Sequence, residues 1–276
     1  MNNFTFQVTT DIRFGKDRLN ELPEVLNTFG KNVLLVYGGG SIKKSGLYDQ
    51  VMAQLQNNDN QVTELAGVEP NPRIETVAKG AELCRTEKID VILAVGGGSV
   101  IDCSKVIAGA ACSEEDPWTL VTKRSYQGPA LPLVTVLTLA ATGSEMNRGA
   151  VITNLTAKQK LGVHGPNFLP KVSFLDPTWT FSVNRYQTAA GSADIMSHLI
   201  ENYFSTTENT DVQDGIAEGL LKAVITNLPI ALDTPDDYDA RANLMWASTL
   251  ALNGLTGSGK AGAWLSLIHI SEPTRH

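Results

Sequence analysis

Short apolar segments that alternate with helical patterns constrain the fold of this chain most strongly. Four apolar runs predict strands, at residues 31–37, 90–95, 131–139 and 171–175, and helical patterns lie at 47–55, 73–87 and 101–111. Strands without polar alternation are buried on both faces, and the helices between them supply the cover. The pattern predicts a parallel, Rossmann-like α/β domain over residues 1–181.

The pattern changes after about residue 182, where three helical segments follow at 185–204, 211–227 and 236–253. Pro229 and Pro235 are expected in the connection between the last two segments. An α/β domain followed by an all-helical domain at 182–264 is the predicted architecture.

Charge and cysteine content argue against several classes of partner. The formal net charge of −7 disfavours nucleic acid and anionic membranes, because phosphate partners need clustered Lys and Arg. No apolar run approaches the length of a membrane span, and the first residues do not form a secretion signal. The three cysteines lack metal-type spacing and fit reduced thiols, so a cytoplasmic location is expected.

Two glycine clusters, both reading GGGS, occupy strand-to-helix junctions at residues 38–41 and 96–99. Free backbone N–H groups make such a junction an anion site, and glycine allows a phosphate to approach closely. Neither cluster is a GxGxxG or Walker motif, and one cluster alone is more often an ordinary turn. Two clusters one βαβ unit apart predict a nucleotide that carries a pyrophosphate.

The first cluster also bears on the identity of that nucleotide. Folds that prefer NAD usually place a carboxylate near the 2′-hydroxyl of the adenosine ribose. The turn after Tyr37 contains no carboxylate, and Lys43 and Lys44 follow it closely. The sequence therefore predicts that NADP(H) is preferred over NAD(H).

Asp194 and His198 are candidate metal ligands, because four-residue spacing on a helix places both side chains on one face. Iron or zinc needs three or four N/O ligands, so the pair supplies half of a site. Without further support such a pair is more often a surface hydrogen bond. Glu201 and Glu208 are the nearest additional carboxylates, and a charge on the helix surface is the simpler interpretation of Glu201.

Four motifs together resemble the iron-containing (group III) alcohol dehydrogenases. They are GGGSVIDCSK at 96–105, TLAATGSEMN at 138–147, FLDP at 174–177 and the helix ADIMSHLIENYF at 193–204. The resemblance extends from about residue 3 to Trp264 and is strongest to the NADP-dependent butanol dehydrogenases and broad-range aldehyde reductases. Ala140 is a departure, since this branch usually has proline there. The implied fold is dehydroquinate synthase-like.

The resemblance implies a set of cofactor-binding residues in the α/β domain. The pyrophosphate turn corresponds to Gly97, Gly98, Ser99 and Asp102, and the loop beside the phosphates and nicotinamide to Thr138, Leu139 and Thr142. The remaining cofactor positions are Gly38, Gly39 and Ser41 in the first cluster, Asn71 near the adenine, and Lys160. Gly39 falls where NAD-preferring relatives carry Asp, in agreement with the prediction of NADP(H).

The resemblance also implies the chemistry. Asp194 and His198 match the first two of four ligands to Fe²⁺ or Zn²⁺, and the other two are histidines further along the chain. The implied reaction transfers a hydride between NADP(H) and a small aldehyde or primary alcohol. A homo-oligomer, a dimer, is expected for the full-length protein, and no general acid is assignable.

The last twelve residues, LSLIHISEPTRH at 265–276, match nothing in this family. Their first eleven match the translation of a transposase-type sequencing adapter, so the tail is predicted to be non-native. His269 is therefore excluded as the third ligand. The helical domain is expected to be incomplete and this chain to be inactive.

Two alternatives stay open. The same fold serves glycerol dehydrogenases and the dehydroquinate-forming lyase, so fold alone does not define the reaction. TGSEMN together with the Asp-x3-His helix favours the alcohol dehydrogenase. The second alternative is that the chain is a nucleotide-binding fragment without catalysis.

Overall fold

The computed structural model describes residues 1–261, which form two compact units. The sheet unit consists of Thr9–Leu139 and Ser144–Ser182. The helical unit begins at Val183 and also includes Met1–Val8 and Ala140–Gly143. The two predictions about the tail, its non-native origin and the exclusion of His269, concern residues outside the described part of the chain.

The strands of the sheet unit are β1 (Asp11–Phe14), β2 (Asn32–Tyr37), β3 (Gln61–Leu65), β4 (Val91–Gly96), β5 (Leu133–Leu137), β6 (Gly149–Asn154), β7 (Gln159–His164) and β8 (Val172–Leu175). Six of them form one parallel sheet in the order β1-β8-β5-β4-β2-β3. The four predicted apolar runs correspond to β2, β4, β5 and β8. A separate antiparallel hairpin is formed by β6 and β7.

Helices cover both faces of this sheet. They are α1 (Leu22–Asn27), α2 (Ser41–Lys44), α3 (Leu47–Asn57), α4 (Ile74–Thr86), α5 (Gly98–Ala111) and α6 (Pro117–Thr122). Alternate residues of β2 and β4 pack with α1 and α3 in one apolar cluster. All six residues of β4 are buried, which is the burial expected of a central strand covered on both faces.

The sequence analysis did not predict β1, β3 and the β6–β7 hairpin. β1 and β3 are the two edge strands of the sheet, and most of their residues are partly exposed. The hairpin is half exposed as well. Such strands carry polar residues and lack the continuous apolar run that marks a buried strand.

The helical unit contains α7 (Arg185–Tyr203), α8 (Asp211–Asp233) and α9 (Tyr238–Leu252), which pack around one apolar cluster that includes Ile195, Leu199 and Leu244. The prediction that Pro229 lies in a connection is wrong, because α8 continues through it. Proline removes the hydrogen bond to the carbonyl four residues earlier, that of Ile225. Both positions are exposed, so water can satisfy this carbonyl without breaking the helix.

Among residues 1–261, α8 is the one helix long and apolar enough to cross a membrane by length and composition. This corrects the expectation that no segment approaches that limit. Its residues Ala217, Val224 and Ala231 are buried in the cluster shared with α7 and α9, whereas Val212, Ile225 and Ile230 are exposed.

Candidate functional site

The first glycine cluster is an open turn at the carboxyl end of β2. Gly40 has a φ of 113°, in the left-handed region that favours glycine, and it precedes α2. A Cβ added to Gly39 would meet no atom within 4 Å. Ser41 begins α2, which has only four residues, so the turn offers accessible backbone rather than a strong helix dipole.

A polar cluster that the sequence did not reveal adjoins this turn. The Tyr37 hydroxyl donates to Glu64 Oε2 over 2.7 Å, and the Tyr48 hydroxyl donates to the same carboxylate over 3.1 Å. Lys43 Nζ lies 5.1 Å from the ring centroid of Tyr37 and 4.4 Å from that of Tyr48. The turn itself has no carboxylate, yet the neighbouring strand β3 supplies one beside Lys43.

Protonation in this cluster follows from its contacts. Burial, together with the hydrogen bond to Glu64, raises the pKa of both Tyr37 and Tyr48. The interaction with Tyr37 raises the pKa of Lys43, so the ammonium stays charged at neutral pH. The sequence contains one indication of this cluster, because Glu64 is a charged residue directly before Leu65, the buried last residue of β3.

The second glycine cluster joins β4 to a full-length helix. Gly97 is the N-cap of α5, and Gly98 and Ser99 are its first two residues. A Cβ on Gly96 would lie 2.6 Å from Val100, and one on Gly97 would lie 3.2 Å from Leu139. The glycines therefore permit close packing at this turn. The Val100 and Ile101 amides donate to the carbonyl of Gly97, so the amides that can bind an anion at the start of this 14-residue helix are those of Gly98 and Ser99.

Asp102 lies in the second turn of α5 and binds the segment that leads into the hairpin. The Ser144 hydroxyl donates to Asp102 Oδ1 over 2.5 Å, and the Val151 amide donates to Oδ2 over 2.9 Å. Burial raises the pKa of Asp102, while the positive charges of Lys105 and Lys160 and these two donors act to lower it. Asp102 thus connects the glycine turn with the hairpin.

The hairpin brings Lys160 and the segment of Asn71 to the same side of the sheet unit. Lys160 on β7 pairs with Thr153 on β6, and the Thr153 amide donates to the carbonyl of Pro72 over 2.9 Å. Asn71 precedes that proline and has a φ of 56°. Three of the predicted cofactor residues, Asn71, Asp102 and Lys160, are therefore joined through one hairpin.

The loop after β5 is divided between the two units. Thr138 and Leu139 belong to the sheet unit, where the Thr138 amide donates to the carbonyl of Gly96 over 3.1 Å. Thr142 belongs to the helical unit.

Two glycines allow this loop to pack within the helical unit. A Cβ on Gly191 in α7 would lie 2.5 Å from the carbonyl oxygen of Ala140. Gly143, with a φ of 58°, leaves a similarly small gap to Ser248 in α9.

The candidate metal ligands are placed on α7 as predicted. Asp194 Oδ1 lies 3.5 Å from His198 Nε2, and the two side chains are 40% and 19% exposed. One carboxylate and one imidazole are donors that suit Fe²⁺ or Zn²⁺, so the pair fits half of such a site. Within residues 1–261 no group of three or more His, Cys, Asp or Glu side chains is gathered for a metal. Glu201 is partly buried rather than fully exposed, unlike a simple surface charge.

Comparison with known proteins defines the class. The sequence profile of iron-containing alcohol dehydrogenase matches residues 9–177, and that of the C-terminal domain of the Fe-containing alcohol dehydrogenase family matches residues 188–270. The chain belongs to the iron-containing alcohol dehydrogenases, a family of oxidoreductases. The second match extends six residues into the predicted adapter tail, whose origin stays a prediction.

Individual relatives place the chain in the butanol dehydrogenase and aldehyde reductase branch. NADH-dependent butanol dehydrogenase A of Clostridium acetobutylicum is 52% identical over 264 residues, which are 96% of this chain and 68% of that protein. NADPH-dependent aldehyde reductase YqhD of Escherichia coli is 43% identical over 267 residues, with the same coverage.

A solved structure agrees with this placement. The crystal structure of NADH-dependent butanol dehydrogenase A from Thermotoga maritima has a TM-score of 0.92 and 42% identity to this chain, covering 95% of it and 66% of that protein. The chain thus spans about two thirds of the length of these relatives. The predicted family and its α/β-then-helical fold are confirmed. The two butanol dehydrogenases are named as NADH-dependent and the aldehyde reductase as NADPH-dependent.

Proposed function

We propose that this chain supplies the cofactor site and half of the metal site of an enzyme that transfers a hydride between NADP(H) and a small aldehyde or primary alcohol. The observation that carries the proposal is the coupling of the glycine turn before α5 to the hairpin residues through Asp102. The Asp194–His198 pair adds the chemistry that a carbonyl substrate requires.

The chain's own residues have separable tasks in binding the cofactor. The amides of Gly98 and Ser99 bind the pyrophosphate at the start of α5. Lys160 adds a positive charge beside Asp102, and Asn71 orients the adenine side. Thr138, Leu139 and Thr142 border the phosphates and the nicotinamide.

NADP(H) is the proposed cofactor rather than NAD(H). Support comes from Gly39, whose open surroundings leave room for a 2′-phosphate, and from Lys43, which two aromatic rings hold beside that turn. Glu64 favours NAD instead, because a carboxylate near the ribose suits NAD. The hydroxyls of Tyr37 and Tyr48 donate hydrogen bonds to Glu64, and the positive charge of Lys43 offsets its negative charge.

Asp194 and His198 are proposed to hold a divalent cation, Fe²⁺ or Zn²⁺. When bound, such a cation acts as a Lewis acid toward a carbonyl oxygen. The carboxylate lowers the net charge of the ion, and the imidazole adds a neutral nitrogen donor. Because only these two donors meet among the described residues, turnover is proposed to need ligands beyond them, and the chain alone to be inactive.

The proposal also covers the assembly and the location of the protein. The full-length protein is proposed to be a homodimer. A cytoplasmic location is supported by the cysteines, since Cys84, Cys103 and Cys112 are all free.

The test joins residues 1–264 to the C-terminal third of the E. coli relative and measures NADPH-dependent reduction of butanal with Fe²⁺ or Zn²⁺ supplied. We expect reduction by this protein and none by its Asp194→Ala or His198→Ala variants, which should still bind NADPH. Activity that survives both substitutions would contradict the metal assignment. A folded protein that binds neither nicotinamide cofactor would contradict the proposed function altogether.

A further inference from the structure

Lys105 on α5 is the largest fully buried side chain of the described residues, and it carries an ammonium. Lysine is almost never fully buried unless it is paired. Most of its neighbours on α5 are apolar or small, including Ile101, Val106 and Ile107, and Asp102 is the other charged residue of the helix. The sequence analysis gives Lys105 no role, although a charged residue among apolar residues of one helix is a visible signal.

All three donors of this ammonium are used by one short segment. Lys105 Nζ donates to Ser144 Oγ over 2.8 Å, to Asn147 Oδ1 over 2.9 Å and to the carbonyl of Gly149 over 2.8 Å. A lysine ammonium has three N–H donors, so the set is complete. The Asn147 side chain also accepts the Gly149 amide over 3.0 Å, which closes the segment on itself.

Ser144 connects this cation to a carboxylate. It accepts a hydrogen bond from Lys105 and donates one to Asp102 over 2.5 Å. Asp102 in turn accepts the Val151 amide on β6. Asp102 and Lys105, one turn apart on α5, therefore bind residues 144–151 near both ends of that segment.

This arrangement is costly if its only purpose is to fill space. Burial of a charge is strongly unfavourable before compensation, and an apolar side chain of similar volume fills such a position at less cost. Three directed hydrogen bonds instead fix one conformation of the segment that enters β6. That strand carries Thr153, which pairs with Lys160 and bonds the segment of Asn71.

We propose that Lys105 is a positioning residue for the cofactor site: it fixes the β6–β7 hairpin against α5 and so sets cofactor affinity without touching the cofactor. The inference rests on the proposed function, because it assumes that Lys160 and the turn before α5 bind the nucleotide. Loss of the ammonium should free the hairpin and displace Lys160 from the turn.

The test measures dissociation constants for NADPH by fluorescence titration on the full chain and four variants, one of them the double variant of Lys105→Met and Ser144→Ala. Lys105→Met keeps the length of the side chain and removes its donors, and Ser144→Ala removes the bridging hydroxyl. Ile107→Val trims a buried side chain of α5 that takes no part in the network and serves as the matched control. Melting temperatures are recorded for every variant.

We expect Lys105→Met and Ser144→Ala each to raise the dissociation constant roughly tenfold, as for a lost hydrogen bond to a charged group. The dissociation constant of the double variant should be close to that of either single variant, because both changes break one network. Ile107→Val should lower the melting temperature and leave the affinity within about twofold.

Two results would overturn parts of this account separately. If Lys105→Met and Ser144→Ala lower the melting temperature like Ile107→Val and bind NADPH normally, Lys105 is only structural. If Lys105→Met does not fold, Ser144→Ala alone decides between these outcomes. If the unmodified chain binds neither NADPH nor NADH, the proposed function fails instead of the inference about Lys105.

Discussion

Asp194 Oδ1 and His198 Nε2 lie 3.5 Å apart, one turn from each other on α7. This relationship places an oxygen and a nitrogen donor where one cation can contact both. It also sets a limit, because catalytic iron and zinc sites typically use about three protein ligands. The pair therefore fits two ligands of such a site, and at least one further ligand would have to come from other residues.

The 276-residue chain supplied with Fe²⁺ or Zn²⁺ is expected to bind metal weakly and to reduce no aldehyde. Two ligands compete poorly with water for either ion. Equilibrium dialysis followed by metal analysis checks the first part, and a butanal reduction assay checks the second. Stoichiometric, tightly held metal with turnover would contradict the expectation and would bring His269 back into consideration.

Much of the fold was predictable because buried parallel strands carry an unmistakable pattern. Val91–Gly96 is buried throughout and its apolar run is continuous, whereas the edge strand Asp11–Phe14 is mostly half exposed and gives no such run. Helix α8 ran past its predicted end because Pro229 lies on an exposed face that tolerates the lost hydrogen bond.

The candidate site was predictable only where chemistry is local in sequence. The four-residue spacing of Asp194 and His198 fixes their proximity on a helix. Glu64 and Lys105 act over separations of 27 and 39 residues, toward Tyr37 and Ser144, which a helical or strand period cannot reveal. Such contacts depend on strand order and on how the hairpin packs, and both emerge only in the folded chain.

NADPH is expected to bind more tightly than NADH, and Gly39→Asp is expected to reverse that order. A Cβ at Gly39 meets nothing within 4 Å, so the new carboxylate fits and repels a 2′-phosphate. Titration of both cofactors checks the order, and Gly39→Asn is the matched uncharged control. Tighter binding of NADH by the unmodified chain would contradict the preference and would point to Glu64 as the determinant.

Gly98→Val is expected to weaken cofactor binding at least tenfold, because a branched side chain stands between the first amides of α5 and the pyrophosphate. Gly98→Ala should give a smaller loss in the same direction. The measurement is again a cofactor titration, with circular dichroism to establish folding. Normal affinity in folded Gly98→Val would show that the pyrophosphate binds elsewhere.

The stability that Lys105 confers is expected to depend on pH with a definite sign. Burial lowers the pKa of Lys105 from 10.5 to about 8, although Asp102 and Glu145 act to raise it. Between these values the unfolded chain binds more protons than the folded chain, so stability rises with pH. Relative to Lys105→Met, the unmodified chain should gain about 1 kcal/mol per pH unit across this window.

Urea unfolding of both proteins at about pH 7 and about pH 9.5 checks this difference, since the window opens near the lowered pKa. The comparison between the two proteins cancels the other groups that titrate in this range. A constant difference would show that the ammonium keeps its ordinary pKa in the folded protein, and a falling difference would show that folding raises that pKa; either result would contradict the expectation.

Two glycines in the helical unit should respond to alanine with opposite signs. A Cβ at Gly191 in α7 lies 2.5 Å from the carbonyl oxygen of Ala140, a distance that forces the loop to move. Overpacking of this kind costs about 1–3 kcal/mol, so Gly191→Ala should lower the free energy of unfolding by that amount. Gly215 in α8 has no atom within 4 Å of an added Cβ, so Gly215→Ala should raise it by about 0.5–1 kcal/mol. Because both changes add one methyl group to a helix, their contrast isolates the close approach of the loop. Equal effects of the two substitutions in thermal or urea unfolding would contradict the packing of residues 140–143 on α7.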